Sequence, residues 1–203
     1  MPVNEYAFHT HWLVEGTVQE VSDVLRDAEG LRRWWPSVYL DVRQVKPGDD
    51  RDVGKEVELY TKGWLPYTLR WRFRVTESNH PHGFTLEATG DFVGTGVWRL
   101  TQEGQWVNVE YDWRIRAEKP LLRLLSPLLK PIFSFNHHWA MERGEESLRL
   151  ELARRRAKTP GERATIPVPP SGTTTSPVPV GLAAVLLVLT TYAIKKAIDS
   201  TRA

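Results

Sequence analysis

Residues Pro131–Arg156, PIFSFNHHWAMERGEESLRLELARRR, form the longest helical pattern in this chain of 203 residues. One face of that helix repeats at steps of three and four residues, and its members are Phe133, His137, Ala140, Met141, Gly144, Leu148 and Leu152. Charged residues fill much of the remaining surface, and Glu145 precedes Arg149 in the favourable order for an ion pair one turn apart. A single amphipathic helix of this length needs a sheet to cover. We expect Ala140 and Gly144, which are small, to mark its closest approach to that sheet.

The chain before this helix supplies the strands of such a sheet. A first strand, Tyr6–Glu15, is followed by a helix with a capping box at Thr17 and Glu20, and then by a second short helix in LRRWWPSVY (31–39). Six further strands, separated by turn residues, are predicted at Tyr39–Val45, Glu56–Lys62, Thr68–Ser78, Gly83–Gly90, Gly94–Gln102 and Gln105–Ala117. The predicted fold class is therefore α+β, a curved antiparallel sheet of about seven strands with two short helices and a long C-terminal helix.

Two of these strands have one apolar and one charged face, as in a sheet with one face in solvent. The charged side chains of Thr68–Ser78 are Arg70, Arg72 and Arg74, and we expect them to pair with Glu110 and Asp112 on the outer face. Prolines 120, 127 and 131 divide the segment after the last strand, which predicts a short apolar helical stretch, LLRLLSPLLK, ahead of the long helix. The glycines of GTG (94–96) indicate relief of crowding or a bulge within a strand.

The order of one strand, two helices, six strands and a helix resembles the helix-grip fold of the START-like (SRPBCC) superfamily. That superfamily includes polyketide cyclases, lipid-transfer domains and the birch-pollen-allergen family. Three segments carry the resemblance, and they are VEGTVQEVSDVLRDAEGLRRWWPSVY (14–39), GDFVGTGVWRL (90–100) and GEESLRLELARR (144–155). The last two are similar to bacterial polyketide cyclase/dehydrase-like members. The resemblance covers residues 5–156 and implies a cavity between sheet and long helix that accepts an apolar ligand.

The candidate ligand-binding residues are mostly aromatic side chains of the inner faces: Tyr60, Trp71, Phe73, Phe92, Trp98, Tyr111, Trp113, Phe133, His137 and Met141. The alternative is that these residues simply fill the core. His137 lies on the inner stripe of the helix, where it could bind a ligand carbonyl or be a hydrogen-bonded core histidine, whereas His138 points away. No catalytic constellation can be assembled, and His137 and Tyr111 are the residues to test first for catalysis. No metal site, phosphate-binding loop or cofactor is predicted.

Two further aromatic groups remain open to more than one interpretation. Trp34 and Trp35 precede Pro36, and they either anchor the second short helix or lie at the mouth of the cavity on a hinged element. Residues 64–67, WLPY, form an apolar turn that could belong to the same rim or dip into a membrane surface.

Composition divides the chain into a domain at 1–158, a Pro/Thr/Ser-rich linker at 159–179 and a hydrophobic helix at 180–198. The last segment is predicted to be a transmembrane tail anchor, with an interfacial helix or an extra helix of the domain as rivals. The chain has no cysteine and a net charge of +2, which gives nucleic-acid binding no support. The N-terminus has no signal-peptide pattern, so the domain is predicted on the cytoplasmic side of the membrane.

These observations lead to three functional hypotheses. The first is a membrane-tethered domain that binds or transfers a hydrophobic small molecule or lipid. The second is an enzyme of the polyketide cyclase or dehydratase kind, acting in the same cavity. The third is an interaction module whose interior is filled by its tryptophans. The sequence sets neither the identity of the ligand nor an oligomeric state.

Overall fold

One antiparallel sheet of seven strands carries the fold. In the computed structural model, which describes residues 4–65, 67–118 and 120–172, the strands are β1 (Glu5–Glu15), β2 (Tyr39–Lys46), β3 (Glu56–Lys62), β4 (Thr68–Ser78), β5 (Gly83–Gly90), β6 (Phe92–Glu103) and β7 (Trp106–Ala117). Their order in the sheet is β1-β7-β6-β5-β4-β3-β2. The helices are α1 (Val18–Arg26), α2 (Leu31–Trp34), α3 (Pro120–Arg156) and α4 (Pro160–Thr165). The predicted α+β architecture of a sheet with a long helix is confirmed.

Helix α1 begins at the predicted capping box. The Thr17 hydroxyl accepts the backbone N–H of Glu20, and the Glu20 carboxylate accepts the backbone N–H of Thr17 at 2.8 Å. These two bonds satisfy N–H groups that the first turn of a helix leaves without partners. The helix ends at Arg26, and Asp27 accepts the backbone N–H of Gly30 in the connection to α2. This connection places the tryptophans of α2 over the sheet.

Helix α3 is longer than the sequence predicts. It runs without interruption from Pro120 to Arg156, so the stretch ahead of Pro131 is helical, as predicted, and is continuous with the long helix. Pro127 and Pro131 lie inside this helix, and each proline removes one backbone hydrogen bond donor. Most helical stability in proteins comes from tertiary packing, which offsets local costs of this kind.

The outer face of the sheet is charged, but its ion pairs differ from those expected. Arg72 pairs with Glu56 at 3.2 Å and with Glu58 at 2.6 Å on the neighbouring strand. Asp112 pairs with Arg99 and His9 on the strands either side of it. Strands β5 and β6 separate β4 from β7, which excludes the predicted pairs of the β4 arginines with Glu110 and Asp112.

The first part of the predicted linker is folded. Thr159 and Glu162 form a second capping box that opens α4, and Arg154 then donates to the carbonyls of Ile166 and Pro167. The chain continues to Gly172, where a β-carbon would lie 3.3 Å from the carbonyl oxygen of Ser37. Ile166, Pro167 and Gly172 therefore contact the domain, whereas α4 itself buries no residue. The rest of that linker and the predicted anchor at 180–198 lie outside the described residues. Among the described helices, none is long and apolar enough to cross a membrane.

Candidate ligand cavity

A cavity of about 170 Å³ lies between the inner face of the sheet, α2 and α3. On the same measure, ~10–15 Å³ is enough for one water molecule, so the space suits roughly ten waters or an organic molecule of similar bulk. The structure brings nine of the ten predicted residues to its wall: Trp71, Phe73, Phe92, Trp98, Tyr111, Trp113, Phe133, His137 and Met141. Their period-two and helical spacing placed them on inward faces, and the cavity forms where those faces meet.

The floor of the cavity is a row of stacked aromatic rings on the sheet. The rings of Trp98 and Tyr111 are nearly parallel, with centroids 4.0 Å apart, and Trp113 follows at 5.7 Å from Tyr111. Trp71 continues the row, 5.6 Å from Trp113. Cross-strand register produces this arrangement, because Trp98 lies directly opposite Tyr111 on β6 and β7. The rings cover one another's faces where they stack, and together they form a continuous apolar floor.

Gly96 makes this floor possible. It lies opposite Trp113, and a β-carbon at Gly96 would come 2.7 Å from the Tyr111 hydroxyl oxygen and 2.9 Å from the Trp113 ring. Such contacts are too short for any side chain, so the two rings occupy space that only glycine leaves open. The interpretation of GTG as relief of crowding is confirmed at this residue.

Tyr60 is the candidate that the structure does not bring to the cavity. It lies on the outer face of β3, where the Arg70 guanidinium carbon is 4.2 Å from the centre of its ring. The inward residue next to it is Thr61, which lines the cavity and accepts a hydrogen bond from Trp71 Nε1 at 3.1 Å. The alternation of inward and outward residues along β3 could have predicted this position, because Tyr60 lies on the same face as the charged Glu58.

Trp34 and Trp35 form part of the wall from the α2 side. Both are buried, with ring centroids 5.4 Å apart. The Trp35 ring lies against Gly144 of α3, where a β-carbon would come within 2.3 Å of it. Close approach at Gly144 is therefore confirmed, although its partner is this tryptophan rather than a strand. Ala140 lines the cavity instead of marking a contact with the sheet. The packing-anchor interpretation of the two tryptophans fits these contacts.

His137 faces the cavity from α3 and stacks on Phe8, with ring centroids 4.0 Å apart. Its Nε2 atom is buried and has no hydrogen-bond partner among the described residues. Burial, with a smaller contribution from the neighbouring His138, lowers the pKa of His137 to about 3. His138 is exposed, as predicted, and its Nδ1 lies 2.8 Å from the Ser134 carbonyl. At neutral pH His137 can therefore exchange a hydrogen bond with a ligand, but it carries no charge.

Four tyrosines line the cavity, and they are Tyr6, Tyr39, Tyr67 and Tyr111. Burial raises the pKa of both Tyr39 and Tyr111, and the proximity of Tyr39 raises that of Tyr111 further. Both are therefore neutral hydroxyls at any physiological pH. Sequence analysis selected Tyr111 but missed Tyr39, which stands at the junction of α2 and β2, where neither the helical nor the strand period applies.

The connection between β3 and β4, residues 63–67, forms a rim beside α3. Asn136 of α3 holds it by accepting the backbone N–H of Leu65 at 2.9 Å. Tyr67 packs on Phe133, whereas Trp64 is 39% exposed and meets Phe135, which is 54% exposed, edge to face. Lys62, Gly63 and Tyr67 line the cavity from this side.

Charge is scarce on the wall. Lys62 is the only charged side chain among the described residues that line the cavity. Within the described parts of the chain, no three histidine, aspartate or glutamate side chains lie close enough together to hold a metal ion. The chemistry of the wall is therefore aromatic contact and a few neutral hydrogen-bonding groups.

No protein-family model matches the sequence, and no curated protein matches it significantly. Solved structures do share the fold. A Thermus thermophilus protein superposes with a TM-score of 0.58 at 15% identity, covering 75% of this chain and 100% of that one. The Zhui aromatase/cyclase of a Streptomyces species gives 0.56 at 16% identity, covering 76% and 97%. The di-domain aromatase/cyclase BexL gives 0.55 at 13% identity, with coverage of 78% and 52%. At these identities the likeness shows the fold alone, which is the helix-grip fold.

Proposed function

We propose that this protein binds an apolar small molecule or lipid in the cavity between the sheet and α3. The observation that carries the proposal is the cavity itself, about 170 Å³ of space with an aromatic wall and one charged lining residue among those described. An apolar ligand placed there would gain ~25 cal/mol for each Å² of its surface removed from water. A few polar groups would fix its orientation. The interaction-module hypothesis is less well supported, because it needs a filled interior.

A cavity-filling substitution tests binding. Ala140 lines the cavity, so Ala140→Trp should fill part of it and weaken binding of an uncharged probe such as N-phenylnaphthylamine about tenfold or more. Glu146→Trp, at an exposed position of the same helix, is the matched control and should bind like the wild type. Fluorescence titration measures both. Equal binding by the two variants would place the probe on the surface and contradict the proposal.

The proposal includes a membrane from which the ligand is drawn. The hydrophobic segment 180–198 would tether the domain on the cytoplasmic side, and the exposed Trp64 and Phe135 would face the lipid beside the rim. The full chain should then resist alkaline extraction from membranes, whereas a chain ending at residue 172 should remain in the supernatant. Equal extraction of the two chains would reject the tether and leave cavity binding to be judged by its own test.

A second candidate is catalysis of the polyketide cyclase or dehydratase kind. Support comes from the two aromatase/cyclases that share the fold and from the neutral hydrogen-bonding groups of His137 and Tyr111 in the cavity. The wall would fold a reactive chain, and these groups would assist proton movement. The test is turnover of a polyketide substrate by the wild type and by the His137→Phe and Tyr111→Phe variants. Unchanged turnover in both variants would reject these roles.

A further inference from the structure

The hydroxyls of Tyr39 and Tyr111 are held by packing of their rings. The Tyr111 ring is stacked between Trp98 and Trp113, and its hydroxyl lies over Gly96. The Tyr39 ring meets the buried Trp35 edge to face, with centroids 5.3 Å apart. Both residues line the cavity although they come from β7 and from the start of β2. Their positions are therefore fixed before any ligand enters.

Two other polar groups of the cavity wall already have partners within the protein. Thr61 accepts a hydrogen bond from Trp71, and Asn136 accepts one from Leu65. Within the described residues, neither Tyr39 nor Tyr111 has a hydrogen-bond partner for its hydroxyl. A ligand that fills the cavity displaces water from these hydroxyls, and a hydroxyl removed from water without a partner is costly. A matching ligand must therefore supply polar atoms at this place.

The charge of that ligand follows from the same surroundings. Both tyrosines remain protonated, because burial raises the pKa of each. Neutral hydroxyls donate well to a carbonyl or phenol oxygen, but they cannot balance a buried carboxylate. The one charged lining side chain among the described residues, Lys62, lies at the rim side of the wall.

We propose that Tyr39 and Tyr111 form the polar end of the cavity and hydrogen-bond an uncharged carbonyl or phenol oxygen of an apolar ligand. This inference rests on the proposed binding function and names the class of ligand.

Three ligands of nearly equal size test the inference: naphthalene, naphthoquinone and naphthoate. Isothermal titration calorimetry with the full chain should find that naphthoquinone binds about tenfold more tightly than naphthalene, because a hydrogen-bonding site discriminates against a ligand without the matching atom. Naphthoate should bind more weakly than naphthoquinone. The chain has no cysteine thiol to react with the quinone.

Phenylalanine variants test whether the two hydroxyls hydrogen-bond the ligand. Tyr39→Phe and Tyr111→Phe should each weaken naphthoquinone binding about three- to tenfold, the loss of one neutral hydrogen bond, and leave naphthalene binding unchanged. Tyr60→Phe, on the outer face, is the control and should bind all three ligands like the wild type.

The outcomes separate this inference from the proposed function. Failure of the wild type to bind naphthalene or naphthoquinone would overturn both. If the wild type binds naphthalene and naphthoquinone equally well, or if each variant loses the same affinity for both, the hydroxyls of Tyr39 and Tyr111 do not bind the ligand. The proposal of a general apolar cavity would then stand without a polar end. Naphthoate that binds as tightly as naphthoquinone would overturn the preference for an uncharged ligand. The comparison of ligands in the wild type needs no variant, so it holds even where a variant folds poorly.

Discussion

The two halves of α3 meet the rest of the protein in different ways. In the C-terminal half, Gly144 touches Trp35, Leu148 is 0% exposed and Leu152 is buried against the core. In the described part of the N-terminal half, Phe133 and His137 are only half-buried and border the cavity. One half of the helix is packed into the core, and the other covers open space. Stability and ligand binding are therefore expected to depend on different parts of the same helix.

Charge follows the same division. Glu151, which is 1% exposed, accepts hydrogen bonds from Arg33 at 2.6 Å and from Arg155 at 2.8 Å. Asp27 joins both arginines from the end of α1. The contacts of the cavity half are aromatic instead, such as the edge-to-face pair of Phe133 with Tyr6. A helix held by one end can adjust at the other without unfolding.

The largest effect is expected from the core of the packed half. Leu148→Ala should lower the free energy of unfolding by about 3 kcal/mol, because it leaves a cavity at a fully buried position. Phe133→Ala should cost about 1 kcal/mol despite the larger side chain, because Phe133 already borders open space. Urea unfolding followed by tryptophan fluorescence measures both. Equal losses would remove the distinction between the two halves.

The second-largest loss of stability is expected from the buried carboxylate of Glu151. Glu151→Ala removes the buried partner of Arg33 and Arg155 and leaves them only Asp27 in common, and we expect a loss of about 2 kcal/mol in the free energy of unfolding. This is less than for a fully buried pair, because both arginines reach solvent. Glu146→Ala is the matched control, since Glu146 pairs with Arg143 on the exposed side of the same helix and should cost under ~0.5 kcal/mol. A similar loss in both variants would show that burial of Glu151 is unimportant.

The packed half could be predicted from sequence more fully than the cavity half. The spacing of Gly144, Leu148 and Leu152 identifies a buried stripe without knowledge of its partner. In the cavity half, Pro127 and Pro131 indicated a break that tertiary packing overrides. Local sequence patterns show which residues share one face of a helix, but they do not show how strongly tertiary contacts stabilise that helix.

The candidate site shows the same limit. Alternation along β4 and β7 correctly placed the aromatic residues of the floor on the inner face. It did not find Tyr39, whose direction is set by the turn from α2 into β2. The size of the cavity depends on Gly96 and on the distance between α3 and the sheet, which no pattern in a single sequence records.

Protonation of His137 probes the cavity half directly. Its pKa is about 3 in the folded protein and about 6.5 in the unfolded chain, so the unfolded chain binds more protons between these values. Stability should therefore fall as the pH drops from about 6.5 towards 3, by about 2 kcal/mol at pH 5. His137→Phe keeps a ring on Phe8 without the titrating nitrogen and should flatten this part of the pH profile. An unchanged profile in the His137→Phe variant would contradict the burial of this imidazole.

The smallest effect is expected where the end of α3 meets α1. Arg156 pairs with Glu20 at 2.8 Å and, with the hydrogen bonds from Thr17, lowers the pKa of Glu20 to about 2 from an ordinary value of 4.5. This pair should stabilise the fold fully above about pH 4.5 and lose its contribution as the pH falls towards 2. Both partners are partly exposed, so the contribution should stay under ~1 kcal/mol. Glu20→Gln retains the oxygen that caps α1 and removes only the charge, and unfolding curves from pH 7 to pH 3 measure its effect.

Glu162→Gln is the matched control for this last variant. Glu162 occupies the same position in the capping box of α4, without an arginine partner among the described residues. If Glu20→Gln changes the pH profile more than Glu162→Gln, the charge pair with Arg156 acts beyond the cap. If Glu20→Gln lowers the free energy of unfolding as much as Glu151→Ala does, the exposed end of α3 stabilises the packed half as strongly as the buried carboxylate does. The difference between the two halves would then arise at the helix terminus rather than in the core.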